Sequence, residues 1–204
     1  DEVRIAASTP FNRIFRIRTT LDAVIAGART ETDLPLKGLI YHMSRCGSTL
    51  LAQMLAAVPK NAVSSEPEPL DGVTQWVCLA HIEPQLAGEA IRAIVAALGR
   101  DRGNGAARHV IKLAPWQSFA LPMMRSAYPD VNWVYLYRDS IEVMASVMHR
   151  PGLHSVPGLL PQQVIGSAGD GGVSHEDFAA RVLAAMGEAV IEHWEAGGGL
   201  LVAY

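Results

Sequence analysis

The sequence has few cysteines, little net charge and no long apolar run. Its two cysteines, Cys46 and Cys78, are too few for a disulfide framework and lack the spacing of a metal site. The net charge is −3 and 18% of the residues are charged, which argues against a basic surface that binds nucleic acid. The apolar stretches are interrupted well before the roughly 20 residues needed to span a bilayer, and no signal peptide is apparent. These absences favour a reducing, cytoplasmic compartment, with no membrane and no nucleic acid as partners.

Half of the 204 residues are hydrophobic, which is enough for one globular domain with a full core over residues 1–204. The final residues, 199–204, have the composition of a strand that stops where the sequence stops. This pattern is expected if the domain lacks a C-terminal segment.

Four short apolar segments have the pattern of strands buried on both faces, and helical patterns separate them. The predicted strands are Gly38–Met43, His109–Leu113, Trp133–Tyr137 and Gly199–Ala203. Strands that alternate with helices predict the α/β class, with three α/β/α layers around a central parallel sheet. Ligands of such sheets bind at the carboxyl ends of the strands, where the polar turns of this sequence fall. Residues 64–69 are predicted to be a polar loop, and residues 150–173, rich in Gly and Pro, a mobile surface loop.

The first polar turn, residues 44–49, lies between a predicted strand and a predicted helix. Free backbone N–H groups and the helix dipole make such a turn an anion site. Gly47 allows close approach of a phosphate, Ser48 and Thr49 add hydroxyl donors, and Arg45 adds a forked cation. The turn is not a Walker A loop, because it contains no lysine. The alternative is an ordinary strand-to-helix turn with serine as the N-cap.

The second polar turn begins with Arg138, at the end of a predicted strand, and Ser146 follows two helical turns later. A helix has about 3.6 residues per turn, so this spacing returns Ser146 to roughly the same face. Arginine recognises a phosphate through two parallel hydrogen bonds, and serine adds a neutral donor. The alternative is a strand-end Arg-Asp pair together with a small residue that packs a helix.

Both turns resemble motifs of the sulfotransferases that use the sulfate donor PAPS. Residues 42–51, His-Met-Ser-Arg-Cys-Gly-Ser-Thr-Leu-Leu, are similar to the 5'-phosphosulfate loop, most closely to the P-R-S-G-[ST]-T-L form of tyrosylprotein and bacterial trehalose-type enzymes. Residues 138–146 resemble the 3'-phosphate motif, R-D-x-x-x-V-x-x-S, and the last strand resembles the family's L-V-x-Y segment. The resemblance covers roughly residues 38–149 and implies a P-loop-type fold. It implies that PAPS, and its product PAP, are bound without a metal. The implied binding residues are Ser44, Arg45, Cys46, Gly47, Ser48, Thr49, Leu50, Arg138 and Ser146.

The resemblance also implies catalytic roles. Arg45 stands where the cytosolic steroid and phenol enzymes have a lysine that acts on the leaving phosphate, and Lys112 is in the place of a lysine that touches the transferring sulfuryl group. Ala114 replaces the histidine that is the base in the cytosolic branch, so Glu66 is expected to take the acceptor's proton. Glu68 is the nearby rival. The alternatives are a solvated acidic loop for both glutamates and a solvent-facing lysine for Lys112.

Some positions stay open. Leu50 occupies the place of the tryptophan that stacks on adenine in the cytosolic branch, so the adenine partner is not identified. His149 and His154 are weaker candidates for the acceptor site, and a surface position is favoured for both. His42, in a buried strand, is expected to be a core histidine.

The resulting expectation is an enzyme that moves a sulfuryl group from PAPS to a hydroxyl or amine of a small molecule. Two alternatives remain, a P-loop kinase-like phosphotransferase and a catalytically inactive module that binds PAP or another nucleotide. Neither the acceptor nor the oligomeric state follows from the sequence.

Overall fold

A parallel β-sheet forms the centre of the computed structural model, which describes residues 19–30, 32–166, 172–194, 197 and 199–204. Every pair of neighbouring strands is parallel, in the order β2-β3-β1-β4-β5. The strands are β1 (Leu36–His42), β2 (Asn61–Ser65), β3 (Arg108–Lys112), β4 (Asn132–Tyr137) and β5 (Gly199–Ala203). The α/β class is confirmed, and the four predicted strands are parallel neighbours within one sheet.

Strand β2 was missed, because the sequence predicted a polar loop from Ser64 onward. The strand is short, and most of its side chains are only half-buried. It lies at the edge of the sheet and pairs with β3 alone, with Val63 opposite Val110 and Ser64 opposite Ile111. An edge strand with one neighbour does not need the continuous apolar run by which central parallel strands are recognised.

Helices follow most of the strands. They are α1 (Leu21–Ala28), α2 (Ser48–Ala56), α3 (Glu68–Ala80), α4 (Pro84–Leu98), α5 (Leu121–Ala127), α6 (Ser140–His149), α7 (Gln162–Ile165) and α8 (His175–Glu192), with 3₁₀ turns at Pro115–Ala120 and Leu153–Ser155. Ser174 caps α8, since its hydroxyl accepts a hydrogen bond from the Asp177 amide at 3.1 Å. In the part of the chain that is described, no helix is both long and apolar enough to cross a membrane.

Both faces of the sheet are covered, as a three-layer arrangement requires. Leu39, Tyr41 and Trp133 pack on one face with residues from α3, α4, α5 and α8. Ile40 and Leu136 pack on the other face with residues from α2. Successive side chains of a strand point to opposite faces, which explains why central strands with consecutive apolar residues fit this sheet.

The Gly- and Pro-rich segment after α6 was predicted to be a mobile surface loop, and this is wrong for residues 151–166. Leu160, Val164 and Ile165 are buried against α6 and α8 in a second apolar cluster. The Gly and Pro residues set the turns of this segment, while its few apolar side chains anchor it. Residues 167–171 of the predicted loop lie outside the described residues.

Candidate functional site

The turn between β1 and α2 has the backbone of an anion-binding loop. Arg45 and Gly47 both have left-handed conformations, with φ of 61° and 76°. Gly47 is the N-cap of α2, and no side chain caps this helix end. The first N–H groups of a helix have no partner within the helix. They are therefore available to an anion at the carboxyl edge of the sheet.

Tyr204 packs directly on this turn. A Cβ atom added to Gly47 would lie 2.4 Å from Cδ2 of Tyr204, so the ring occupies the space a side chain would need. The amide of Tyr204 donates to the carbonyl of Tyr137 at 3.0 Å, which continues the pairing of β4 with β5. The same ring lies 5.4 Å from the guanidinium carbon of Arg138 in a cation–π contact. Tyr204 thus links the first polar turn to the second.

The two turns also meet through a direct hydrogen bond. Nε of Arg45 donates to the hydroxyl of Ser146 at 2.9 Å, across 101 positions of sequence. Arg138 is paired with Glu142, one turn along α6, at 2.5 Å. The prediction placed Ser146 with Arg138; in the structure the serine lies beside Arg45. Both predicted phosphate motifs therefore lie at one edge of the sheet.

Several side chains of the first turn point away from this edge. Cys46 is fully buried, and its thiol donates to the carbonyl of Leu136 at 3.3 Å. Burial raises the pKa of the Cys46 thiol to about 11, which leaves a neutral core residue with only its backbone available to a ligand. The side chains of Ser44 and Ser48 are also buried, whereas Thr49 and Leu50 are exposed.

A second polar cluster lies where β1, β2 and β3 end. The ammonium group of Lys112 is buried, with 3% of the side chain exposed, and it donates to Oε1 of Glu66. Nε2 of His42 lies 3.6 Å from the same oxygen and donates to the carbonyl of Leu113 at 3.0 Å. Glu66 itself has a left-handed backbone, with φ of 47°, and its amide donates to the Lys112 carbonyl at 2.7 Å. The alternative of a solvent-facing lysine is therefore wrong.

The surroundings of Glu66 keep it ionised. Partial burial raises the pKa of its carboxyl group, but the nearby His42 and the charge of Lys112 together outweigh burial and lower the pKa to about 2. A carboxylate held in this way is a weak proton acceptor. It becomes a stronger one when Lys112 moves away, because the charge and the hydrogen bond of Lys112 both lower its pKa.

The rival bases occupy different environments. Glu68 is exposed in the first turn of α3, and His149 is exposed at the end of α6. His154 is 5% exposed, which contradicts the surface position favoured by the sequence. Trp116 is buried, and its indole N–H donates to a carboxylate oxygen of Asp71 at 2.6 Å. Among the described residues, no three His, Cys, Asp or Glu side chains are placed to hold a metal ion.

Sequence reasoning missed the contacts of His42 and Tyr204. A histidine interrupting an otherwise apolar strand was the available signal for His42, because a buried imidazole requires polar partners. Tyr204 was noted only as the end of an L-V-x-Y segment, and its contact with Gly47 needs the order of the strands, which the sequence does not give.

The fold matches that of a solved structure described as "Sulfotransferase Domain from the Curacin Biosynthetic Pathway". The TM-score is 0.52 and the sequence identity 15%, over 85% of this chain and 68% of that chain. No protein-family model matches the sequence, and no curated protein matches it significantly. At this identity the likeness establishes a shared fold, in which a five-stranded parallel sheet is flanked by helices.

Proposed function

We propose that this chain is a sulfotransferase that moves a sulfuryl group from PAPS to a hydroxyl or amine of a small molecule. The observation that carries the proposal is the hydrogen bond from Arg45 to Ser146. It joins two motifs that each resemble a phosphate-binding element of one donor, on a fold shared with a sulfotransferase domain. A donor with a 5'-phosphosulfate and a 3'-phosphate needs two anion sites on one edge, and this contact supports such an arrangement.

The residues present fit such a donor. The uncapped N-terminus of α2 and the left-handed Arg45 and Gly47 leave backbone N–H groups available at the carboxyl edge of the sheet, and the ring of Tyr204 packs against Gly47. Residues 44–50 would hold the 5'-phosphosulfate through backbone N–H groups, and the exposed hydroxyl of Thr49 would add a donor. Arg138 and Ser146 would hold the 3'-phosphate. A phosphate at the first place would compete with Ser146 for Arg45, since charge-assisted bonds to phosphate are stronger than bonds to a neutral hydroxyl. A phosphate at the second place would compete with Glu142 for Arg138.

The chemistry needs cations where negative charge grows and a base for the acceptor's proton. PAPS supplies the sulfuryl group and a phosphate leaving group. Arg45 would stabilise charge on that leaving phosphate. Lys112, buried at the end of β3, would turn toward the sulfuryl oxygens and leave Glu66. Loss of the Lys112 charge would raise the pKa of Glu66, because the charge of Lys112 and its hydrogen bond both lower that pKa. Glu66 would then accept the acceptor's proton.

A reducing cytoplasmic compartment belongs to the same proposal. Both cysteines are free thiols, with Cys46 buried and Cys78 partly buried.

The test has two stages. Thermal-shift measurements with PAP, ATP and ADP should show stabilisation by PAP above all, because ATP and ADP lack the 3'-phosphate. Turnover of PAPS carrying labelled sulfur should then show loss of the label from the donor. Stabilisation by ATP with a requirement for Mg²⁺ would favour a kinase-like phosphotransferase, and PAP binding without turnover would favour an inactive binding module.

A further inference from the structure

His154 is a buried imidazole with an unsatisfied nitrogen. The side chain is 5% exposed, and Nε2 has no hydrogen-bond partner in the structure. Leaving a buried polar atom without a partner is costly. Such atoms are uncommon in folded proteins. We therefore expect this nitrogen to have a hydrogen-bond partner in another state of the protein.

The turn that carries His154 holds the ring in a defined place. Ser155 donates from its hydroxyl and its amide to the carbonyl of Gly152, at 2.8 Å and 3.0 Å. Nε2 of His175, at the start of α8, lies 2.9 Å from the carbonyl of Ser155 and fixes the turn to the long helix. A Cβ atom at position 152 would lie 2.6 Å from the ring of His154, so the ring fits in this position because residue 152 has no side chain.

The ring also lies within electrostatic range of the proposed catalytic groups. Burial and the charge of His42 lower the pKa of His154 to about 4, while the charge of Glu66 acts in the opposite direction. The imidazole is therefore neutral at physiological pH, with one nitrogen to donate and one to accept hydrogen bonds. A neutral imidazole within electrostatic range of an ionised Glu66 is suited to a ligand that carries a hydroxyl or an amine.

We infer that Nε2 of His154 hydrogen-bonds the nucleophilic hydroxyl or amine of the acceptor and orients it toward Glu66. The inference rests on the proposed function. Nε2 is buried, so the acceptor reaches it after a local shift of residues 153–155, and that shift is part of the proposal. Leu153 and Leu159 of this segment are exposed. They provide an apolar surface for contact with the apolar part of an acceptor.

The experiment uses the full chain with isotope-labelled histidine, saturated with PAP, and monitors the nitrogen chemical shifts by NMR. Phenol, hexanol and hexylamine are the probes, as small carriers of the two acceptor groups. At least one probe should shift the Nε2 resonance of His154 in a saturable manner. His109 is the internal control, because it is also buried with an unpartnered ring nitrogen but lies in β3, where Ser64 bonds its other nitrogen. Its resonances should not move.

Two variants separate binding from packing. His154→Phe keeps a ring but removes the nitrogens, so its melting temperature should equal or exceed that of the wild type, because an unsatisfied polar atom is lost. Its affinity for the responding probe should fall about tenfold, the equivalent of one lost hydrogen bond, with unchanged affinity for PAP. Gly152→Ala, at an ordinary φ of −88°, displaces the ring without changing its chemistry and should weaken the probe in the same way. The exposed His149→Phe should bind the probe as the wild type does.

The outcomes are distinguishable. If PAP does not bind, the proposed function is wrong and the role of His154 falls with it. If PAP binds but no probe shifts His154, or if His154→Phe binds the responding probe unchanged, only the assignment of His154 is overturned.

Discussion

Replacing Gly47 by alanine tests the anion-binding loop through two separate penalties. Gly47 has a φ of 76°, and an L-residue in the left-handed region costs about 1–2 kcal/mol. The new Cβ would also lie 2.4 Å from the ring of Tyr204, which has to move. Moving the ring removes its cation–π contact with Arg138, worth about 0.5–1 kcal/mol at an exposed site.

Gly105→Ala is the matched control for the backbone penalty. Gly105 has a φ of 83°, and a Cβ there would meet nothing within 4 Å. Both variants should lose stability, at roughly 2–4 °C of melting temperature per kcal/mol for a chain of this size. Gly47→Ala should lose about 0.5–1 kcal/mol more than the control. The additional substitution Tyr204→Ala should abolish that excess, because the clash and the cation–π contact are then both absent.

Affinity for PAP, measured by isothermal titration calorimetry, should fall at least about tenfold in Gly47→Ala, the equivalent of one or more lost hydrogen bonds. Gly105→Ala should bind PAP as the wild type does. If Gly47→Ala matches Gly105→Ala in stability and binds PAP normally, the turn is an ordinary strand-to-helix connection and not an anion-binding loop.

Four further predictions address individual side chains. Arg138→Ala should weaken PAP by about 1.5–3 kcal/mol while leaving adenosine 5'-phosphate little changed; calorimetry with both ligands checks this, and an equal loss for both would remove the 3'-phosphate assignment. Glu66→Gln should keep PAP affinity and reduce PAPS turnover by roughly 10²–10⁴-fold; normal turnover in this variant, with an inactive Glu68→Gln, would place the base at Glu68. The lowered pKa of Glu66 means that its ion pair contributes stability that is complete above its ordinary pKa of 4.5 and is lost as the pH falls toward about 2; urea unfolding across this range should show the loss in the wild type and not in Glu66→Gln. Cys46, buried and with its pKa raised to about 11, should resist iodoacetamide at neutral pH until the chain is unfolded; rapid alkylation in the folded chain would show that this part of the turn is open.

The sequence predicted the strands that are covered on both faces of the sheet. β1, β3 and β4 lie inside the sheet and are covered on both faces, so each contains consecutive apolar residues. β2 was missed because it is an edge strand that ends in two serines, one half-buried and one exposed. The segment at 151–166 was wrongly predicted for a related reason. Its Gly and Pro content is typical of a surface loop, although a few of its apolar side chains are buried.

The residues of the site could be predicted from the sequence, but most of the contacts between them could not. Arg45, Gly47, Arg138 and Ser146 were identified from the type and spacing of residues at strand ends. Their partners depend on the order of the strands and the direction of α6, which local patterns do not encode. The ion pair between Lys112 and Glu66 likewise depends on β2 lying beside β3, and without that strand the glutamate is expected to be in solvent.

Incubation of the purified chain with PAPS carrying labelled sulfur and a cell metabolite extract tests sulfuryl transfer itself. We expect the label to appear in organic sulfate esters or sulfamates without added Mg²⁺, and to remain in PAPS when Arg45→Ala replaces the wild type. Tight binding of PAP with no transfer of label to any organic product would contradict the claim and leave a nucleotide-binding module.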